Sequence, residues 1–264
     1  MMFGIKPEYN HIKFRAVSIS FWIILILIVS PAGLLAQNAS EIIEQVDQKM
    51  RGESSYAEMT MTIVRPRYTR EVSMRAWSLG DDYSLIKITE PARDEGTAYL
   101  KRENEIWNYV PNIDRTIKMP PSMMSQSWMG SDFSNDDLVR ESSITEDYEH
   151  SILREDTLRG RESWVLELIP KPDAAVVYGK VLLWVDKEEY IQLRVEKYDQ
   201  QGELANTLEL TDIREMGGRL LPAKLTLSPA DKPDHKTIME YREIEFNISP
   251  DESFFSLQNM RRNL

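Results

Sequence analysis

A period of two in hydrophobicity dominates the chain after Gly52. Apolar and polar residues alternate through 58–63 and again through 71–76. Because successive side chains of a strand point to opposite faces of a sheet, this pattern predicts half-buried β-strands. Further alternating runs predict strands at 85–89, 106–110, 164–169, 181–186, 191–198, 204–211, 221–227 and 238–248.

The breaks between these runs are short and rich in turn residues. They fall at 80–82, 103–104, 159–160, 201–202 and 217–218. Such spacing makes consecutive strands antiparallel neighbours. About ten strands in one meander must curl to bury a face. We therefore predict a mainly β (α+β) fold, in which a curved antiparallel sheet forms a half-open β-barrel closed by short helices.

Two segments depart from the alternation. Residues 38–51 have a helical period, with Asn38 as the predicted N-cap and an end near Gly52. Residues 120–140 form the long irregular stretch that we call the insertion, in which 135–137 can start a short helix at Leu138. No internal repeat or linker is visible, which indicates one domain.

The first 36 residues have the composition of a secretory leader. Three basic residues precede an uninterrupted apolar run at 21–29, and small residues follow as far as Ala36. This order is typical of a signal peptide. We expect cleavage after Ala36, leaving a periplasmic domain at 37–264. The alternative is an uncleaved anchor, but serines dilute a segment barely as long as the roughly 20 residues that span a bilayer.

Cysteine content and charge narrow the function classes. The chain contains no cysteine, so we expect no disulfides. We also expect no lipid anchor, because its attachment requires a cysteine. Its formal net charge is −11, and loss of the leader removes three basic residues and one acidic residue, which gives −13. Nucleic acid is therefore not an expected partner, since its recognition requires a basic face.

Candidate catalytic groups are few. His150 and His235, the histidines after the leader, lack further ligands at zinc-site spacing, so no metal is predicted. Ser151 follows His150, and residues 130–132 (Gly-Ser-Asp) come nearest to a nucleophile turn, but flanking glycines are missing. No phosphate-binding glycine loop occurs. We expect no cofactor and no enzyme, with lipid hydrolysis as the catalytic alternative.

Methionine and aromatic residues are the candidate binding groups. Methionine is unbranched and polarizable, so it adapts to flexible ligands, although it also fills gaps in cores. Its concentration in the insertion favours a lid there, at 123–133. Alternation at 106–110 leaves both faces of that strand partly apolar, one for a cavity and one for a helix. The candidate cavity and lid residues are Trp107, Tyr109, Met119, Met123, Met124, Trp128, Met129, Phe133 and Leu138.

Four segments resemble the outer-membrane lipoprotein-sorting proteins of the LolA-like family. Residues 88–91 (Ile-Thr-Glu-Pro) and 104–111 (Asn-Glu-Ile-Trp-Asn-Tyr-Val-Pro) resemble a strand ending and the following hairpin. Residues 127–138 (Ser-Trp-Met-Gly-Ser-Asp-Phe-Ser-Asn-Asp-Asp-Leu) are similar to a characteristic segment of one branch. Residues 250–255 (Pro-Asp-Glu-Ser-Phe-Phe) resemble the closing segment.

The resemblance implies a half-open barrel that carries acylated lipoprotein or lipid cargo. It implies as partners an inner-membrane transporter that releases the cargo and an outer-membrane receptor that accepts it, and we expect a monomer. The best-known members hold the lid shut with a basic residue just before a proline. Residues 77–82 lack one, and neither Arg75 nor Arg93 matches the motif, so the sequence assigns no latching arginine.

A second function is compatible with the same fold. The protein would then be a periplasmic accessory subunit of an inner-membrane, efflux-type transporter, and would sense lipid or misfolded protein. Carriage is the first hypothesis because each methylene of an acyl chain exposed to water costs about 0.8 kcal/mol, which makes a dry cavity necessary for transport.

Overall fold

The computed structural model describes residues 1, 3–4, 31–140 and 143–262, apart from the side chains of 31–38 and 139–140. The chain divides into two units, Met1–Ser30 and Pro31–Leu264, and the second contains every helix and strand below. Most of the leader predicted at 1–36 lies outside the described residues. Among the helices of the described part, none is long and apolar enough to cross a membrane.

Helix α1, Pro31–Arg51, opens the unit and helix α2, Leu257–Arg261, closes it. A short π-helical segment, Asp136–Arg140, lies in the insertion, as predicted. The strands are β1 (Ser54–Arg65), β2 (Tyr68–Leu79), β3 (Tyr83–Glu90), β4 (Ala98–Arg102), β5 (Glu105–Val110), β6 (Arg115–Lys118), β7 (Tyr148–Leu158), β8 (Arg161–Pro170), β9 (Lys180–Asp186), β10 (Gln192–Tyr198), β11 (Leu204–Met216), β12 (Arg219–Pro229) and β13 (Lys236–Phe246).

All thirteen strands belong to one antiparallel sheet that does not close, which confirms the mainly β, half-open architecture. β1 to β6 form one meander and β7 to β13 form a second, and the two meet where β1 pairs with β13. β6 and β7 are therefore the two edges. Because the insertion lies between β6 and β7 in the chain, it runs from one edge towards the other.

The predicted strands are all present, and three more join them. β4 and β6 have only five and four residues, too few for alternation to stand out. β7 is an edge strand with mostly exposed side chains, so charged residues occupy both of its faces and hide the period of two. The expected count of about ten strands was therefore too low.

Helix α1 begins at Pro31, seven residues before the predicted cap at Asn38. Proline is tolerated in the first turn of a helix, and alanine and leucine in 32–36 favour the helical state. The end agrees with the prediction: the Gly52 N–H donates to the Gln48 carbonyl at 2.9 Å, and Gly52 has a φ of 69°.

The largest core lies between the inner face of the sheet, α1 and the insertion. Strand side chains such as Met61, Leu166 and Leu210 meet there with Ile43 and Val46 of α1. The outer face carries smaller clusters. One of them packs the C-terminal segment against β3 to β5, with Phe255 and Met260 fully buried.

Candidate functional site

An apolar cavity of about 340 Å³ lies within the main core. Ligand pockets in proteins are typically 300–1,000 Å³ and mostly apolar. Inward-facing residues of both meanders line it, because alternate positions of each strand share a face. The sheet contributes Met74, Ile86, Leu183, Val195, Leu208 and Met239, among others.

The cavity has two polar regions. Near the C-terminal end of α1 it is lined by Asp47, Arg51, Ser55 and Ser78, and the Arg51 guanidinium lies 3.0 Å from the Asp81 carboxylate. Beneath the insertion it is lined by groups that include Asp137 and Lys197. β10 runs along the cavity from Gln192 to Lys197, about 16 Å of extended chain.

The nine candidate residues fall into three groups. Trp128, Phe133 and Leu138 line the cavity. The four methionines pack in or against the same core without being part of the lining, Met119 and Met124 buried, Met123 and Met129 half-buried. Trp107 and Tyr109 pack on the outer face of the sheet with Leu100 and Phe255, and do not line the cavity. It is the Ile106 side of β5 that faces the main core.

Trp128 anchors the insertion over the cavity. It is fully buried, and its ring centroid lies 5.4 Å from that of Tyr99 on β4. The backbone N–H of Trp128 donates to the Phe133 carbonyl at 2.8 Å, which folds the intervening residues into a tight loop with Gly130 at a φ of 78°. The insertion therefore has a defined conformation of its own.

Two arginines hold this loop against the sheet. Arg65, at the end of β1, donates to Asp132 Oδ2 at 2.9 Å and to the Gly130 carbonyl at 2.9 Å. Arg70, on β2, donates to the Met129 carbonyl at 3.1 Å. The Arg65 and Asp132 side chains are only 9% and 7% exposed, so their ion pair is largely removed from water.

Arg65 is a functional candidate that the sequence analysis missed. It stands directly before Pro66, and this order of a basic residue followed by proline does not occur in residues 77–82. The sequence assigned no latching arginine, and the structure adds that Arg65 contacts the insertion. Arg75 and Arg93 do not replace it, since they pair with Glu58 and Asp94 respectively.

A buried polar cluster joins the insertion to the second meander. The Lys197 ammonium binds Asp137 Oδ1, and Asp137 Oδ2 accepts from the Ser134 N–H and hydroxyl, both at 2.7 Å. Tyr178 places its hydroxyl 3.4 Å from the same oxygen and its ring 5.0 Å from Lys197 Nζ. A lysine at an inward position of a strand, two residues after Val195, was the sequence signal for this cluster.

The charges of this pair are mutually stabilised. Burial alone would raise the pKa of Asp137, but Lys197 and Ser134 hold that pKa below its usual value. Burial would likewise lower the pKa of Lys197, and the Asp137 carboxylate raises it instead. Tyr148, which also lines the cavity, has its pKa raised to about 12 by burial. Lys197 is therefore a cation, and the phenols beside it are neutral.

Two of the groups considered for catalysis, His150 and Ser131, have structural partners. His150 Nδ1 lies 3.1 Å from the Ser40 hydroxyl, and Nε2 lies 2.6 Å from the Ile144 carbonyl. Since a carbonyl only accepts, Nε2 carries the proton. Burial lowers the pKa of His150, which favours the neutral ring, and in that form Nδ1 accepts from the Ser40 hydroxyl. Ser131 exchanges hydrogen bonds with the backbone of Phe133 within the loop. His150 thus links α1 to the start of β7.

Known proteins share this architecture. A family model described as uncharacterized protein-like matches residues 80–262. No curated protein matches the chain in sequence. A DUF1329 family protein from Desulfovibrio piger has the same fold: the TM-score is 0.78 at 22% identity, over 86% of this chain and 99% of that one.

Two further solved structures resemble the chain in both fold and sequence. A domain described as an outer-membrane lipoprotein-sorting protein, from Vibrio parahaemolyticus, is 26% identical with a TM-score of 0.77, over 86% of this chain and all of that one. A LolA superfamily protein from Nitrosomonas europaea is 25% identical with a TM-score of 0.73, over 84% of this chain and 98% of that one. The chain therefore belongs to the family of the matched model, and its fold and these two relatives support a LolA-like assignment.

Proposed function

We propose that the protein is a periplasmic carrier that binds the acyl chains of lipoproteins or lipids and moves them towards the outer membrane. The observation that carries the proposal is the apolar cavity beneath the insertion. A free acyl chain in water costs about 0.8 kcal/mol for each methylene, and a dry cavity of this kind removes that cost during transfer. The similarity to LolA-like proteins supports the same role.

The insertion is the proposed lid. Trp128, Phe133 and Leu138 would contact the bound chain directly, since they line the cavity. Met119, Met123, Met124 and Met129 would let the surrounding core adapt to chains of different length. Arg65 and Arg70 hold this lid in place, and its displacement exchanges lid contacts for cargo contacts.

The route is part of the proposal. Export by a signal peptide cleaved after Ala36 would release a domain at 37–264 into the periplasm. Its partners would be an inner-membrane transporter that supplies cargo and an outer-membrane receptor that accepts it. N-terminal sequencing of the exported protein tests the cleavage site, and fractionation of the cells tests the compartment.

A cavity-filling variant tests the binding function. Val195 lines the cavity and is 6% exposed, so Val195→Phe places a ring in existing space. The matched control is Ser228→Phe, which adds the same ring at an exposed position of β12 outside the cavity lining. Lipids bound to detergent-free protein are identified by mass spectrometry, and affinity is measured by displacement of a fluorescent acyl chain.

We expect wild type and Ser228→Phe to bind acyl chains and Val195→Phe to lose binding while it keeps its circular dichroism spectrum. Absence of lipid and of acyl-chain affinity in the wild-type protein would refute carriage. Equal binding by folded Val195→Phe would refute the assignment of the cavity.

A further inference from the structure

Lys197 and Asp137 form an ion pair in the wall of an otherwise apolar cavity. Their side chains are 17% and 4% exposed. The two charges come from different parts of the fold: Lys197 belongs to β10, inside the sheet, and Asp137 belongs to the insertion. Displacement of the insertion would therefore remove the carboxylate and leave the ammonium in place.

In the ion pair, attraction to the carboxylate offsets the loss of water around the ammonium. Without that partner the buried ammonium is strongly destabilised. The phenols of Tyr178 and Tyr148 are neutral and supply no counter-charge. Asp136, the neighbouring carboxylate of the cavity wall, lies on the same segment as Asp137 and would move with it. Asp47, a third carboxylate of the cavity lining, lies in the other polar region near the end of α1, where it pairs with Arg51 at 3.4 Å. The ligand is therefore the source of negative charge left for Lys197.

We propose that Lys197 binds the anionic head of the acyl ligand, a carboxylate or a phosphate, in exchange for Asp137. This inference rests on the proposed function and names the ligand class: an acyl chain that ends in an oxyanion. The chain would run from Lys197 past Val195 towards Gln192, along the apolar lining. Neutral-headed chains would leave the ammonium unpaired, so the exchange makes the cavity selective.

Three ligands of equal chain length test the selectivity on the purified protein: hexadecanoate, hexadecyl phosphate and hexadecanol. We expect both anions to bind roughly ten- to a hundredfold more tightly than hexadecanol, the ratio that one charge-assisted hydrogen bond supplies. Comparison of the first two ligands separates a carboxylate head from a phosphate head. Acetate and inorganic phosphate should not displace a bound acyl chain, because they lack the chain that fills the cavity.

The matching variant is the double substitution Lys197→Met with Asp137→Asn. It removes both charges together, which avoids an unpaired buried charge and keeps the fold. We expect it to lose the preference for anions, so that its affinities for the three ligands become similar. Lys180→Met is the control, since Lys180 lies over the ring of Tyr198 at 4.3 Å and outside the cavity lining, and it should keep the preference.

The outcomes separate the two proposals. Equal affinity of wild type for all three ligands would overturn this inference and leave carriage supported. A preference that survives the double substitution would also overturn it. Failure of all three ligands to bind would refute carriage itself.

Discussion

Removal of the Arg65 guanidinium should release the insertion from the sheet. In the folded protein this group binds Asp132 and the Gly130 carbonyl, each at 2.9 Å. Asp132 is also held by Thr237, whose hydroxyl donates to its carboxylate at 2.7 Å and accepts from its N–H at 2.9 Å. The substitution Arg65→Met keeps the aliphatic stem and removes the charge and its hydrogen bonds.

The size of the effect follows from burial. Loss of one partner from a buried ion pair costs about 3–5 kcal/mol, whereas an exposed pair contributes about 0.2–1 kcal/mol. Arg65 and Asp132 are at the buried extreme. Because Arg70 and Asp137 also hold the insertion, the loss should appear as local opening before global unfolding. At 3 kcal/mol the open form becomes on the order of a hundredfold more populated.

Hydrogen exchange measured by mass spectrometry reads this opening directly. The amides of Trp128, Asn135 and Asp136 donate within the insertion, so peptides covering 123–137 should exchange on the order of a hundredfold faster in the variant. Lys224→Met is the control, because Lys224 and Glu240 form an exposed pair at 3.3 Å. Wild-type exchange across the insertion in Arg65→Met would refute the latch.

Two further predictions concern stability. Gly217→Ala should destabilise the protein by more than about 1 kcal/mol in urea unfolding, because a Cβ there would lie 2.8 Å from the Phe246 ring; Gly202→Ala has a positive φ but open space, so equal losses in both variants would contradict the clash. Tyr99 and Tyr148 have pKa values raised by burial to about 12 against 10 when unfolded, so the unfolded chain releases its protons first and the free energy of unfolding should fall as pH rises from 10 to 12. Changing both tyrosines to phenylalanine should reduce that fall, and an unchanged slope in the variant would be inconsistent with it.

The local pattern of apolar and polar residues was sufficient to predict most strands of the sheet. A strand such as β11 alternates clearly because one face packs on a core and the other faces solvent or partly buried surroundings. Hairpin turns were also predictable from the sequence: Gly160, Gly217 and Gly218 have positive φ, which glycine adopts readily. β7 was not predicted, because it is an edge strand whose mostly exposed side chains do not alternate between apolar and polar.

The candidate site was harder to predict because alternation marks faces without saying what covers them. β5 carries apolar residues on both faces, and only the pairing of strands decides that Ile106 points to the main core while Trp107 and Tyr109 meet the C-terminal segment. The insertion itself was recognisable as the place where the period of two fails and methionines gather.

By itself, the sequence determined the strand periodicity, the hairpin order, the position of the insertion and the family to which its motifs point. These are properties of neighbouring residues. Only the tertiary structure decided that Arg65 reaches Asp132 and that Lys197 reaches Asp137, partners separated by 67 and 60 residues. Such contacts depend on how an open sheet curves and on where the segment joining its two edges lies, because an ion pair requires proximity in space that no local period encodes.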